Sequence, residues 1–114
     1  MSINVSILKP AYGNKSFYGK AKVIEADGVK YLKSYDTIVC AITPDGNFEK
    51  LWDGWSATTT KHVNSFRSIY GLDYIGKAAW QALQVAKDFV IPRSVYNVEM
   101  KYKATYYAGY NSLY

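Results

Sequence analysis

At 114 residues the chain has room for one domain. Hydrophobic residues make up 49% and charged residues 20%, a balance that excludes a disordered tail protein. The net charge of +5 is uneven: residues 1–57 carry seven Lys and six acids, whereas residues 58–114 carry five Lys, two Arg and three acids. The second half is therefore where an acidic partner is expected. No apolar run reaches the roughly 18 residues of a membrane span, and the first ten residues lack the apolar core of a signal peptide. A cytoplasmic protein of a bacterial cell, with no membrane partner, is the expectation. Cys40 is the one cysteine and His62 the one histidine, which excludes an internal disulfide framework and a Cys/His zinc site within one chain.

Ile3, Val5 and Ile7 alternate with Asn4, Ser6 and Leu8, predicting a short strand ahead of Pro10. Residues 12–16 have loop composition. Residues 17–26 and 29–34 flank Asp27-Gly28, a dipeptide suited to a type I′ hairpin because both positions tolerate positive φ. Residues 35–42 are rich in β-formers, and Thr43-Pro44-Asp45-Gly46 is turn chemistry that leads back into a strand over 48–52. An antiparallel meander follows from these spacings.

The period changes after Trp55. Ser56, Thr58 and Thr59 are good N-caps and Gly71 a good residue just past a helix end, so a helix is predicted over 58–70. Thr59, Val63, Phe66 and Tyr70 make its apolar stripe, with Lys61, Asn64, Ser65, Arg67 and Ser68 on the opposite face. A second helix is predicted over 76–87, carrying Ala79, Trp80, Leu83 and Ala86 on one side and stopped by Pro92. From Tyr96 to Tyr106 apolar and polar residues alternate without a break, predicting a long half-buried strand before an irregular end over 107–114. The whole reads as one α+β domain, an antiparallel β-meander packed on two helices with a long C-terminal strand.

Ser34-Tyr35-Asp36-Thr37-Ile38-Val39-Cys40-Ala41 and the stretch from Trp52 through Ser56-Ala57-Thr58-Thr59-Thr60-Lys61-His62 to Phe66 carry a resemblance. With Lys77, Trp80 and Leu83 behind them, they resemble small uncharacterised proteins of bacteriophages and mobile elements of Gram-positive bacteria. The resemblance covers about residues 30–84. It implies phage or mobile-element biology, in which small single-domain proteins often inhibit a host machine, anti-CRISPR proteins among them. It implies no catalytic residue.

Two constellations carry candidate binding chemistry. Trp52 and Trp55 beside a helix start, with Lys61, His62 and Arg67, could stack a base and hold its phosphate, although corner packing and helix capping would employ the same residues. Lys87, Arg93, Lys101 and Lys103 interleave with Tyr102, Tyr106 and Tyr107, a mixture that suits a protein interface or single-stranded nucleic acid. An edge strand guarded by lysines would look the same, and would also permit pairing into a homodimer. His62 as a general base for Ser56 or Thr59 lacks a nearby acid beyond Asp53. Cys40, in an apolar run, reads as inert. A helix-turn-helix is disfavoured by the long connector 71–76. No phosphate-binding glycine loop or acid pair is present, so neither an enzyme nor a cofactor is expected. The expectation is a binding protein that inhibits a host nucleic-acid-handling complex such as a CRISPR nuclease. Its contacts would be Lys87, Arg93, Lys101, Tyr102, Lys103, Tyr106 and Tyr107, and the alternative is a nucleic-acid-binding module.

Overall fold

The computed structural model describes residues 3–11, 20–96 and 106–108, the last three by their backbone alone. β1 (Ile3–Leu8), β2 (Ala21–Ala26), β3 (Val29–Ser34), β4 (Thr37–Ile42) and β5 (Phe48–Lys50) pair each with the next in an antiparallel meander. α1 (Ala57–Ile69), α2 (Lys77–Ala82) and the single turn α3 (Arg93–Tyr96) follow. β6 (Tyr106–Ala108) then lies parallel to β1, giving the order β5-β4-β3-β2-β1-β6. The architecture is α+β.

The hairpin at Asp27-Gly28 forms as its chemistry requires, with φ of 52° and 81° at the two turn residues. The next turn was not visible in the sequence. The strand expected from residue 35 starts at Thr37, and Tyr35 and Asp36 make the connection, Tyr35 with φ of 53°. Further along β4, Leu32 faces Cys40 while Lys33 faces Ile38, so Val39 is an extra, bulged residue. The Leu51 N–H donates to its carbonyl at 3.0 Å. Because of the bulge, Val39 and Cys40 both face the helices.

Both faces of the sheet are covered. On one, Leu8, Val23, Leu32 and Ile42 pack against Val63 and Phe66 of α1, Ile75, and Trp80 of α2. On the other, Val5, Ile24, Tyr31, Ile38 and Ala41 pack against Phe89, Ile91 and Val95. The expected partner of the sheet was two helices; the second face is instead closed by the segment 89–95. β4 is consequently buried at every position from Ile38 to Ile42.

α1 runs one residue ahead of its expected start, capped by Ser56, whose hydroxyl accepts the Thr59 N–H. Its expected polar face needs correction, since Asn64 and Ser65 are buried. Asn64 closes a double hydrogen bond with the Ile75 backbone, donating to its carbonyl at 3.0 Å and accepting from its N–H at 2.7 Å. The Ser65 hydroxyl accepts the Ala11 N–H at 3.0 Å. Polar side chains are stable in such places because each has a backbone partner from a distant element.

α2 is shorter than expected, ending at Ala82 with Leu83 already extended. The cause is Lys50. Its ammonium is buried and donates to the carbonyls of Trp80 and Leu83, each at 3.0 Å, while pairing with Asp53 at 3.2 Å. The chain beyond forms a parallel bridge from Val85 to Lys50, and the Ala86 N–H donates to the Lys50 carbonyl at 2.8 Å. Ala79 and Leu83, expected on a buried face, are exposed.

The long strand expected from Tyr96 is corrected at its first residue, because Tyr96 ends α3 and is exposed. The rest of it up to residue 105 lies outside the described residues, as do residues 12–16 and the first three positions of the strand expected over 17–26. Tyr107, expected in an irregular end, belongs to β6. Among the described residues no helix is long and apolar enough to cross a membrane.

Replacing Lys50 with Met keeps the stem but removes two charge-assisted hydrogen bonds at the end of α2, leaving the Trp80 carbonyl only the Leu83 N–H, so unfolding in urea is expected to show a loss of about 2–3 kcal/mol. Asp53→Asn should cost under about 1 kcal/mol, because the Asp53 carboxylate is largely in water. Equal losses in the two variants would contradict the capping role of Lys50.

Candidate functional site

The two motif-like stretches of the sequence meet where β3 turns into β4. The Ser34 hydroxyl lies 2.7 Å from His62 Nδ1 and 3.2 Å from the Thr59 hydroxyl, with all three residues buried. β3 supplies Ser34 because its even positions face the helices, and α1 supplies Thr59 and His62 less than one turn apart. Burial lowers the His62 pKa from 6.5 to about 4, so the ring is neutral at physiological pH. Above the cluster, the Tyr35 ring rests against His62 at a centroid separation of 5.7 Å and remains half exposed.

A serine hydroxyl on a histidine nitrogen is the start of a nucleophile–base pair, but here both partners are below 4% exposed. The hydroxyl on His62 Nδ1 is that of Ser34; of the two considered from sequence, Thr59 joins the cluster through Ser34 and Ser56 does not. Ser56 caps α1, and its carbonyl accepts from the Thr60 hydroxyl at 2.7 Å. The arrangement fastens α1 to β3. Among the described residues, no three His, Cys, Asp or Glu side chains converge as metal ligands. Cys40 is fully buried, and burial pushes its thiol pKa up, away from the reactive thiolate.

The tryptophan corner turns inward. Trp52 and Trp55 are half-buried and pack against the core, Trp55 at 6.4 Å from Trp80. The Trp80 indole N–H donates to the Gly54 carbonyl at 2.8 Å, and Trp52 lies over Gly54 so closely that its ring occupies the place of a side chain there. Arg67 stacks on Phe48 at 4.5 Å and donates from Nε to the Asp73 carbonyl at 2.8 Å. Of the five residues considered for base stacking and phosphate, Lys61 is exposed, His62 is buried, and Trp52, Trp55 and Arg67 are half-buried.

Of the tail residues singled out, Lys87 and Arg93 are exposed on the segment that wraps the second face. Tyr106 and Tyr107 lie in β6, and Lys101, Tyr102 and Lys103 are outside the described residues. The structure adds neighbours that sequence reasoning had not singled out. Val90 is 84% exposed and Tyr96 52%, while Phe89, Ile91 and Val95 anchor the same segment inward. Their alternation around Val90 was the available signal. Beside Lys87, an 890 Å³ groove runs between β5 and the turn before Phe89, with Glu49, Asp53, Leu83 and Val85 among its lining.

Residues 7–82 match the model of a family of unknown function, DUF8033. That match covers well over half of the chain, which therefore belongs to this family. No curated protein and no solved structure matches the chain significantly.

A neutral buried histidine links stability to pH. The unfolded chain takes up a proton near pH 6.5 and the native one only near pH 4. This contribution is complete above pH 6.5 and is lost as pH falls from 6.5 to 4, by about 3 kcal/mol at most. Urea denaturation across that window should show the slope, and His62→Gln should flatten it. An Ala at position 54 must displace the Trp52 ring, so Gly54→Ala is expected to lower stability by about 2 kcal/mol or more in thermal melts.

Proposed function

We propose that the chain is a phage or mobile-element binding protein that inhibits a host nucleic-acid-handling complex, in the manner of an anti-CRISPR nuclease inhibitor. It docks through the basic, tyrosine-rich surface of its C-terminal third. The observation that carries this reading is the outer side of the segment 83–96. Val90 and Tyr96 stand exposed beside the exposed cations Lys87 and Arg93. Phe89, Ile91 and Val95 hold the same segment rigidly against the sheet. Aromatic, apolar and cationic side chains on a fixed support are the composition of an interface hot spot. In this reading Lys101, Tyr102, Lys103, Tyr106 and Tyr107 add further contacts to the surface. The polar groups of the motif stretches are spent internally, in the Ser34–Thr59–His62 cluster, at Asn64 and at Lys50, which supports binding over catalysis. The second reading, a nucleic-acid-binding module, is favoured by the net charge of +4 on residues 58–114.

A tagged pull-down from lysate of a CRISPR-bearing Gram-positive host, with and without nuclease, separates the two. A host protein should remain bound after nuclease treatment, and the double variant Val90→Asp, Tyr96→Ala should release it while the fold persists by circular dichroism. Capture that vanishes with nuclease would replace the first reading by the second. Capture indifferent to the double variant would place the contact elsewhere on the chain.

A further inference from the structure

We propose that Tyr35 is a stacking platform for single-stranded nucleic acid, held in place by the Ser34–Thr59–His62 cluster beneath it. The starting observation is a juxtaposition. A bulky aromatic residue occupies the left-handed region at φ 53°, its ring half exposed, where the β3–β4 turn meets α1. Side chains of this size are rare there and persist only where the surroundings over-determine them. The surroundings do so here. The Tyr35 N–H donates to the Lys20 carbonyl at 2.7 Å, the ring leans on His62, and His62 is fixed in turn by the Ser34 hydroxyl. Core filling does not account for the ring, since half of the residue faces solvent.

A ring supported on one side and open to water is what base stacking uses, and every base offers a face to it. Two exposed cations belong to the segments that hold the ring. Lys20, whose carbonyl holds the turn, and Lys61, which precedes His62 on α1, are both exposed; Asp36 is the exposed acid beside them. A protein partner anchored on Tyr35 would call for an apolar surround. Among the described residues, those that follow Tyr35 in the chain or bond to its backbone, Lys20, Asp36 and Thr37, are instead polar and exposed. A polyanion with planar groups fits them better. This site differs from the tryptophan corner considered from sequence, whose rings face Gly54 and Trp80. It also lies inside the family-matched residues 7–82, away from the C-terminal docking surface, and does not depend on that surface being correct.

Fluorescence anisotropy of the full chain with a labelled oligo-dT of about twelve nucleotides at low salt tests it. Binding is expected. Tyr35→Gly, which suits the left-handed turn, should weaken it by about tenfold or more, and Tyr35→Phe should retain it. Lys61→Ala should reduce the slope of log affinity against log salt by about 0.7. Amide shifts on titration should center on Tyr35, Asp36 and Lys61. Absence of binding by the native chain, or equal affinity of a folded Tyr35→Gly variant, overturns the proposal. Loss of binding in Lys101→Ala, Lys103→Ala with Tyr35→Gly unaffected overturns it too and moves the contact to the tail.

Discussion

Lys50 closes the last strand of the meander with its side chain under α2, and an ammonium buried there must find acceptors or cost several kcal/mol. It finds the carbonyls of Trp80 and Leu83, which a continuing helix would have used itself. α2 therefore stops. The released chain is caught at once by the Lys50 carbonyl through the Ala86 N–H, at the edge of the sheet. From an edge the chain can pass to the opposite face, and Phe89, Ile91 and Val95 do so. The capping of α2 and the two-sided burial of β4 are thus linked through residues 83–95.

The same principle governs the helical side. His62, Asn64 and Ser65 occupy consecutive or near-consecutive positions on α1 that apolar residues would be expected to fill. Each reaches a different distant group: Ser34, the Ile75 backbone and the Ala11 N–H. Directional bonds of this kind fix the rotation and height of α1 on the sheet more narrowly than Val63 and Phe66 could by packing alone. They also give a serine and a histidine at bonding distance a structural task. Their exposure is near zero, and their hydrogen bonds serve the fit of helix to strand.

What could be read from sequence was chemistry confined to a few neighbouring residues. Asp27-Gly28, the Ser56 cap and Gly71 each determine a local geometry by themselves, so the meander and the limits of α1 were legible to within a residue or two. The features that escaped depend on partners far along the chain. Lys50 and Trp80 are 30 positions apart, Ser34 and His62 are 28, and Ser65 and Ala11 are 54. Spacing rules over one helix turn cannot see them. One signal was present and unused: Ile38 to Ile42 is apolar throughout, not alternating, which is the pattern of a strand covered on both faces. At the candidate site the turn at Tyr35 was hidden because tyrosine is a β-former and rarely takes positive φ. The exposed surface around Val90 was reached in part, through Lys87 and Arg93.

The cover of the second face has a consequence for where this domain is cut. The recognisable family pattern stops at residue 82, yet the apolar side made by Val5, Ile24, Tyr31, Ile38 and Ala41 is shielded by residues 89–95. An expression boundary placed at the end of the pattern would leave that side wet, an aggregation liability of the kind that large apolar patches create. The matched span and the set of residues that close the core have different limits. In this chain, the cover of that face is supplied by residues that follow the matched span 7–82.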